Sequence, residues 1–196
     1  MALHRREVIS ELLRDRPDDL LVVAGLGTAS SDVASVEDHP GNFYVGGVMG
    51  QSPAIALGLA LTQPERRVLL VTGDGDMLMG LGTLASIADQ GPRNLGIVVM
   101  DNESYGETGG QKTATRGRVD LAAIAAGCGF GQTAVATTAK QAQAVYEMAL
   151  SAPGPVFGVI KVAMESVPRV MGRPRDGGYL KDRFRENLLG YTQEPL

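Results

Sequence analysis

Two residues set the chemistry this chain could carry. Asp74 sits in Gly73-Asp74-Gly75-Asp76, directly after the apolar run Val68–Thr72, and Asn102 follows the next apolar run, Leu95–Met100, 28 positions later. A carboxylate and an amide oxygen are hard donors, suited to Mg²⁺ or Ca²⁺ and unsuited to soft metals. Mg²⁺ takes one or two protein groups and leaves the rest of its octahedron to water and substrate phosphates. The glycines beside Asp74 let backbone approach a ligand, and a helix starting there offers unpaired N–H groups to an anion. The pair describes a magnesium-diphosphate site, although Gly-Asp-Gly taken alone is also a common turn and helix cap.

The spacing predicts that the two residues meet. A helix of about 14 residues, from near Met77 to Gln90, runs back roughly 21 Å, and a strand of about seven residues returns roughly 23 Å. Asp74 and Asn102 then emerge at one sheet edge, on adjacent strands. Two other nucleotide motifs fall short. Gly25-Leu26-Gly27 follows a strand, but Ser30 stands where a dinucleotide fingerprint needs its third glycine, and no acidic residue follows about 20 positions on. The stretch Gly106 to Thr113 is one residue away from a P-loop, with Gln111 in place of the second glycine. The residues after it, Ala114-Thr115-Arg116-Gly117-Arg118, lack the apolar face of the helix that motif requires.

The elements that position these residues are read from periodicity. A helix from about Leu3 to Arg14 gathers Val8, Ile9, Leu12 and Leu13 on one face, and Pro17 ends it. Short, nearly continuous apolar runs at Leu20–Ala24, Val68–Thr72, Leu95–Met100 and Pro155–Val162 read as strands covered on both faces. Helical stretches lie between them at Ser52–Leu61, about Met77–Gln90, Leu121–Ala126 and Thr138–Ser151. This alternation predicts an α/β chain of three layers, a mostly parallel sheet with helices on both faces and ligands at the carboxyl ends of the strands. Residues 1–165 are read as one domain and 166–196 as a tail making a subunit contact.

Composition bounds the rest. The chain has 196 residues, 44% of them apolar and 20% charged, which suits one domain with a real core and excludes disorder and fibres. Cys128 is the single cysteine, which excludes a disulfide framework and any multi-cysteine metal or iron–sulfur site within the chain. A net charge of −4 argues against nucleic acid as a partner. No segment has the roughly 18 to 20 apolar residues that span a bilayer, and the charged N-terminus is unlike a signal peptide, so the expected location is the cytoplasm. From Lys161 to Gly190 seven basic residues face four acidic ones, so this stretch is the basic part of an acidic chain. Glycine, at 26 residues, is nearly twice its usual share of roughly 7%. Much of the excess clusters at Gly46–Gly50, Gly73–Gly75 and Gly106–Gly110.

From Gly73-Asp74-Gly75 to Asp101-Asn102 the sequence resembles the thiamine diphosphate-binding signature. Asn42-Phe43-Tyr44 leading to Gly47-Val48-Met49-Gly50, and the run from Asp101 to Gln111 with its Thr108-Gly109-Gly110-Gln111, resemble the β subunits of sulfopyruvate decarboxylase and the C-terminal part of phosphonopyruvate decarboxylase. The resemblance covers roughly Val22 to Val162. It implies thiamine diphosphate and Mg²⁺ as cofactors, with Asp74, Asn102 and the Ser104 carbonyl as metal ligands. It places the backbone of Gly75 and Asp76 on the diphosphate, with Gly73, Val48, Tyr105 and Gly106 completing the cofactor contacts. Gly47 resembles the residue whose carbonyl accepts from the cofactor's 4′-amino group, and Met49 the bulky residue wedged between its two rings. Asp76 departs from the usual small residue; its side chain either points away from the cofactor or caps a helix beginning near Met77.

The activity so implied is decarboxylation of a 2-oxo acid with an anionic tail, sulfopyruvate- or phosphonopyruvate-like, to an aldehyde and CO₂. Carboligation by the same cofactor, and a non-catalytic regulatory subunit, are the alternatives. The resemblance also implies a separate α subunit bringing the pyrimidine-binding domain and an activating glutamate, in an α2β2 or larger assembly, because only about 20 residues precede the first strand here. His39, in the loop before Asn42, and Glu107, beyond the metal strand, are the acid–base candidates of this chain.

Overall fold

The computed structural model describes residues 2–168 and 176–190. Its strands are β1 (Leu21–Ala24), β2 (Asn42–Tyr44), β3 (Val68–Gly73), β4 (Leu95–Asp101), β5 (Ser104–Tyr105), β6 (Gln111–Lys112), β7 (Gln132–Ala136) and β8 (Val156–Lys161). Its helices are α1 (Arg5–Leu12), α2 (Thr28–Val36), α3 (Ser52–Thr62), α4 (Asp74–Met79), α5 (Thr83–Gln90), α6 (Leu121–Cys128), α7 (Ala139–Ser151) and α8 (Gly177–Leu189). Six strands form one parallel sheet in the order β2-β1-β3-β4-β8-β7, and β5 and β6 pair antiparallel as a separate hairpin.

Successive residues of the central strands serve opposite faces of the sheet. Leu21, Val23, Leu70, Ile97 and Val99 join the core under α3, α4, α5 and α6, while Val22, Ala24, Leu69, Val71 and Val98 join the core under α1, α2 and α7. Both faces are therefore covered, and the three-layer arrangement expected from the near-continuous apolar runs is the one observed. β1 lies between β2 and β3, so the chain winds outward in one direction after β1 and in the other after β3. The strand order reverses there, and a crevice opens at the carboxyl ends of β1 and β3.

Several expected elements change. The single helix from Met77 to Gln90 is two helices broken at Gly80-Leu81-Gly82, and the first begins at Asp74. The break is steric in origin: a Cβ on Gly80 would stand 2.3 Å from the Gly50 carbonyl oxygen, so loop and helix meet backbone to backbone. β2, β7, α2 and α8 were not visible as periodic runs. α8 packs Phe184 edge-on against Phe43 of β2, with centroids 5.2 Å apart, and Arg183 grips Asp38 with two hydrogen bonds of 2.8 and 2.9 Å. This part of the basic stretch is thus built onto the sheet edge. Residues 169–175 and 191–196 of the tail read as a subunit contact lie outside the described residues.

Candidate active site

β3 and β4 pair in register with Gly73 opposite Met100. Asp74 and Asn102 therefore leave adjacent strands at the same end, and both line one crevice with Gly73, Gly75, Ser104, Tyr105, Gly106, Glu107 and Met49. Leu26, Gly27 and Thr28, from the turn after β1, close its other side.

The chain after β4 turns back on itself. Glu103 adopts a left-handed backbone (φ 58°), uncommon for a residue with a side chain. It is held there by two side-chain acceptors: Asp101 Oδ1 receives the Glu103 N–H (3.0 Å) and Asn102 Oδ1 receives the Ser104 N–H (3.0 Å). Lys161 Nζ adds ion pairs to Asp101 Oδ2 (2.7 Å) and Glu103 Oε1 (2.9 Å). Burial lowers the Lys161 ammonium, but its hydrogen bonds to Asp101 and Glu103 outweigh this and hold its pKa above the ordinary value. The reversal brings Ser104 to the crevice and starts the β5–β6 hairpin, whose far strand leads to Thr113.

Asp74 is buried and has no cationic partner among the described residues. Burial pushes its pKa up, the Thr113 hydroxyl pulls it down, the charge of Asp101 pushes it up again, and Thr115 offsets part of that; the net shift is upward. The Thr113 and Thr115 hydroxyls, at 2.5 and 3.2 Å, both donate to Oδ2. A buried carboxylate without a counter-ion is costly, and a divalent cation would offset that cost. Among the described residues no three His, Cys, Asp or Glu side chains could hold a metal ion together, so a cation at Asp74 would be completed by neutral oxygens, and the Asn102 amide lines the same crevice. That donor set is hard oxygen throughout and fits Mg²⁺.

The glycines around the crevice differ in the space they leave. At Gly73, which lines the crevice, a Cβ would meet nothing within 4 Å, so the chain's own packing does not demand glycine there. Gly47 has equal space and a positive φ of 80°. Gly75 is different: the Tyr105 ring lies 2.6 Å from the point where its Cβ would stand, and Met49 Cε lies 3.4 Å from that point.

Comparison with known proteins places this geometry. The profile of the thiamine pyrophosphate enzyme family, C-terminal TPP binding domain, matches residues 26–160. The chain belongs to this family. It is 38% identical over 196 residues to the sulfopyruvate decarboxylase subunit beta of Methanothermobacter thermautotrophicus, covering 99% of this chain and all of that one. It is 35% identical to the phosphonopyruvate decarboxylase of Streptomyces viridochromogenes over 87% of this chain but only 42% of that protein. A Mycobacterium smegmatis structure described as a thiamin diphosphate-dependent enzyme superposes with a TM-score of 0.72 at 25% identity, over 84% of this chain and 32% of that one. The chain thus spans less than half the length of the latter two.

Most of the residues expected to contact the cofactor or metal lie together. Gly73, Asp74, Gly75, Asp76, Asn102, Ser104, Tyr105, Gly106, Glu107 and Met49 line the crevice. Gly47 and Val48 stand outside its lining, in the exposed part of the loop that carries Met49. His39 is not brought to the crevice at all. Its Nδ1 accepts the Gly41 N–H (3.0 Å), and burial together with Arg16 holds its pKa below the ordinary value. It is a neutral turn-forming side chain, and the acid–base role considered for it is withdrawn. The helix cap considered for Asp76 is also corrected: Asp76 is the third residue of α4, and its oxygens turn toward the Gly50 loop. Sequence reasoning missed Thr113 and Thr115. Thr113 closes the stretch that imitates a P-loop, and only a single 3₁₀ turn (Ala114–Arg116) follows it; its hydroxyl serves a carboxylate instead of a phosphate.

Proposed function

We propose that this chain is the β-type subunit of a split, thiamine diphosphate- and Mg²⁺-dependent decarboxylase acting on a 2-oxo acid with an anionic tail. The observation that carries the reading is the switch-point crevice, in which buried Asp74 lacks a counter-charge among the described residues and lines one wall with Asn102 and Ser104. The end-to-end similarity to a sulfopyruvate decarboxylase subunit beta supports both the substrate class and the division of the enzyme into subunits.

In this reading Asp74, the Asn102 amide oxygen and the Ser104 carbonyl hold Mg²⁺, and the backbone at Gly73, Gly75, Asp76 and Gly106 receives the diphosphate. When bound, thiamine diphosphate supplies the electron sink that accepts the bonding electrons as CO₂ leaves. The chain positions and encloses it. Met49 would support the rings, and Ile9, Leu26, Met100 and Val162 give the crevice apolar walls that exclude water. Glu107 and Thr108 stand at the rim, where a substrate carboxylate or carbonyl would be oriented.

A partner subunit completes the site. Val48 (47% exposed) and Met79 (64%) are large apolar side chains left in solvent at the Met49 loop and at the end of α4, which packs against Gly50. From Pro53 to Leu61, α3 offers no polar side chain on any face. Such a helix on an open surface asks for a cover. We assign that cover to a pyrimidine-binding α subunit carrying the activating glutamate, in an α2β2 or larger cytoplasmic assembly. No helix among the described residues is long and apolar enough to cross a membrane.

Titration calorimetry on the assembled enzyme tests the metal assignment. Thiamine diphosphate should bind only with Mg²⁺, and Asp74→Ala should abolish binding; unchanged binding in that variant would remove the assignment.

A further inference from the structure

We propose that Asp76 is a positioning residue: its carboxylate ties the Gly46–Gly50 loop to α4 and so fixes Met49 against the floor of the crevice. The consequence for the cofactor rests on the function proposed above; the tie itself does not.

Asp76 is 4% exposed, and its side chain leaves the crevice for the loop. The Gly50 N–H donates to Oδ1 (2.6 Å), and the hydroxyls of Thr72 (2.6 Å) and Ser52 donate to Oδ2. Both oxygens are thus committed to donors from three elements: the loop, the end of β3 and the start of α3. Neither is directed at a metal.

The loop needs such a tie. Gly46, Gly47 and Val48 are exposed, and a Cβ on Gly46 or Gly47 would meet no neighbour within 4 Å. Upstream, the Val45 N–H is held by the Ala24 carbonyl at 2.9 Å. Downstream, Gly50 takes a positive φ of 82° and lies backbone to backbone against Gly80, which sets its height but supplies no directional bond. The Gly50–Asp76 bond supplies the direction. Charge-assisted bonds of this kind are roughly twice as strong as neutral ones. Met49 immediately precedes the tied residue, and its Cε rests 3.4 Å from the Cβ position of Gly75. A serine or alanine at position 76 is too short to reach Gly50, so the carboxylate is the feature that matters.

Hydrogen exchange of the full chain, read by NMR, tests the tie. The Gly50 amide should be protected in the wild type while the amides of Gly46, Gly47 and Val48 exchange fast. Asp76→Ala should speed Gly50 exchange by about tenfold or more, as befits a lost bond to a charged acceptor. Asp76→Asn should restore most of the protection, because its amide oxygen can still receive the Gly50 N–H while the two hydroxyls turn to accept from its NH₂. An unprotected wild-type Gly50 amide overturns the proposal even if the alanine variant fails to fold.

The consequence is read in the assembled enzyme by comparing two ligands. Asp76→Ala, which keeps the backbone N–H at position 76, should weaken Mg²⁺–thiamine diphosphate by a much larger factor than Mg²⁺–pyrophosphate, which reports only on the diphosphate end. Equal loss of both would make Asp76 part of the metal end and overturn its positioning role. Absence of both in the wild type would instead sink the cofactor reading, with the exchange result still deciding the tie.

Discussion

Asp74 shows how a residue can be costly alone and useful with its ligand. Its pKa is raised because burial and the nearby Asp101 disfavour the anion more than the Thr113 and Thr115 hydroxyls favour it. Between the unfolded and folded pKa values the folded chain binds the extra proton, so stability falls as pH rises through that window, from about 4 upward. The cost is present in the metal-free chain once the pH exceeds the folded pKa. Replacing Asp74 by Asn should stabilise the metal-free protein at pH 7 by about 1 kcal/mol and flatten its stability above pH 4, a common trade at functional sites. Thermal unfolding across pH 4 to 8 checks this; an Asn variant less stable than wild type at pH 7 would contradict it. Asp74 and Asn102 were legible in the sequence because the strand and helix advances cancel, a matter of geometry alone. Thr113, Thr115 and the left-handed Glu103 were not, since they depend on a hairpin of two-residue strands that carries no periodicity. His39 looked placed by its nearness in sequence to the Met49 loop, yet its ring is spent on the local turn at Gly41.

Among the elements, the four central strands announced themselves as apolar runs because both of their faces are buried. β7 did not: at the sheet edge only Ala136 is buried, and Gln132-Thr133-Ala134-Val135-Ala136 has no sustained apolar stretch. α2 is rich in Ser and Thr, and its docking depends on one charged residue. Asp32 is fully buried and receives Arg5 Nε at 2.5 Å and Arg6 Nε at 3.1 Å from α1. Removing one member of a buried ionic cluster strands the others, which typically costs about 3 kcal/mol or more. Asp32→Ala should lower the stability of the chain by about that amount, seen as a lower urea midpoint with an unchanged slope. A loss well under 1 kcal/mol would mean that Ile9 and Leu12 hold α1 without the ionic contact. The break between α4 and α5 was hidden for a related reason: the Gly50–Gly80 approach that fixes it is a contact between distant segments.

At the scale of the molecule, the strand order reverses between β1 and β3, and the turns after β1, β3 and β4 meet in one crevice. Much of the glycine excess falls in these turns and in the Met49 loop. The Met49 loop and the end of α4 beside it carry Val48 and Met79 in solvent. In the function proposed above, a partner subunit covers these side chains and completes the site. The most direct test is CO₂ release from sulfopyruvate and phosphonopyruvate, with thiamine diphosphate and Mg²⁺ present, by the purified chain alone and after mixing with a pyrimidine-binding subunit. The account predicts no turnover by the chain alone and decarboxylation to the aldehyde on mixing. Robust turnover by the chain alone, or none from the mixture on either acid, would contradict it.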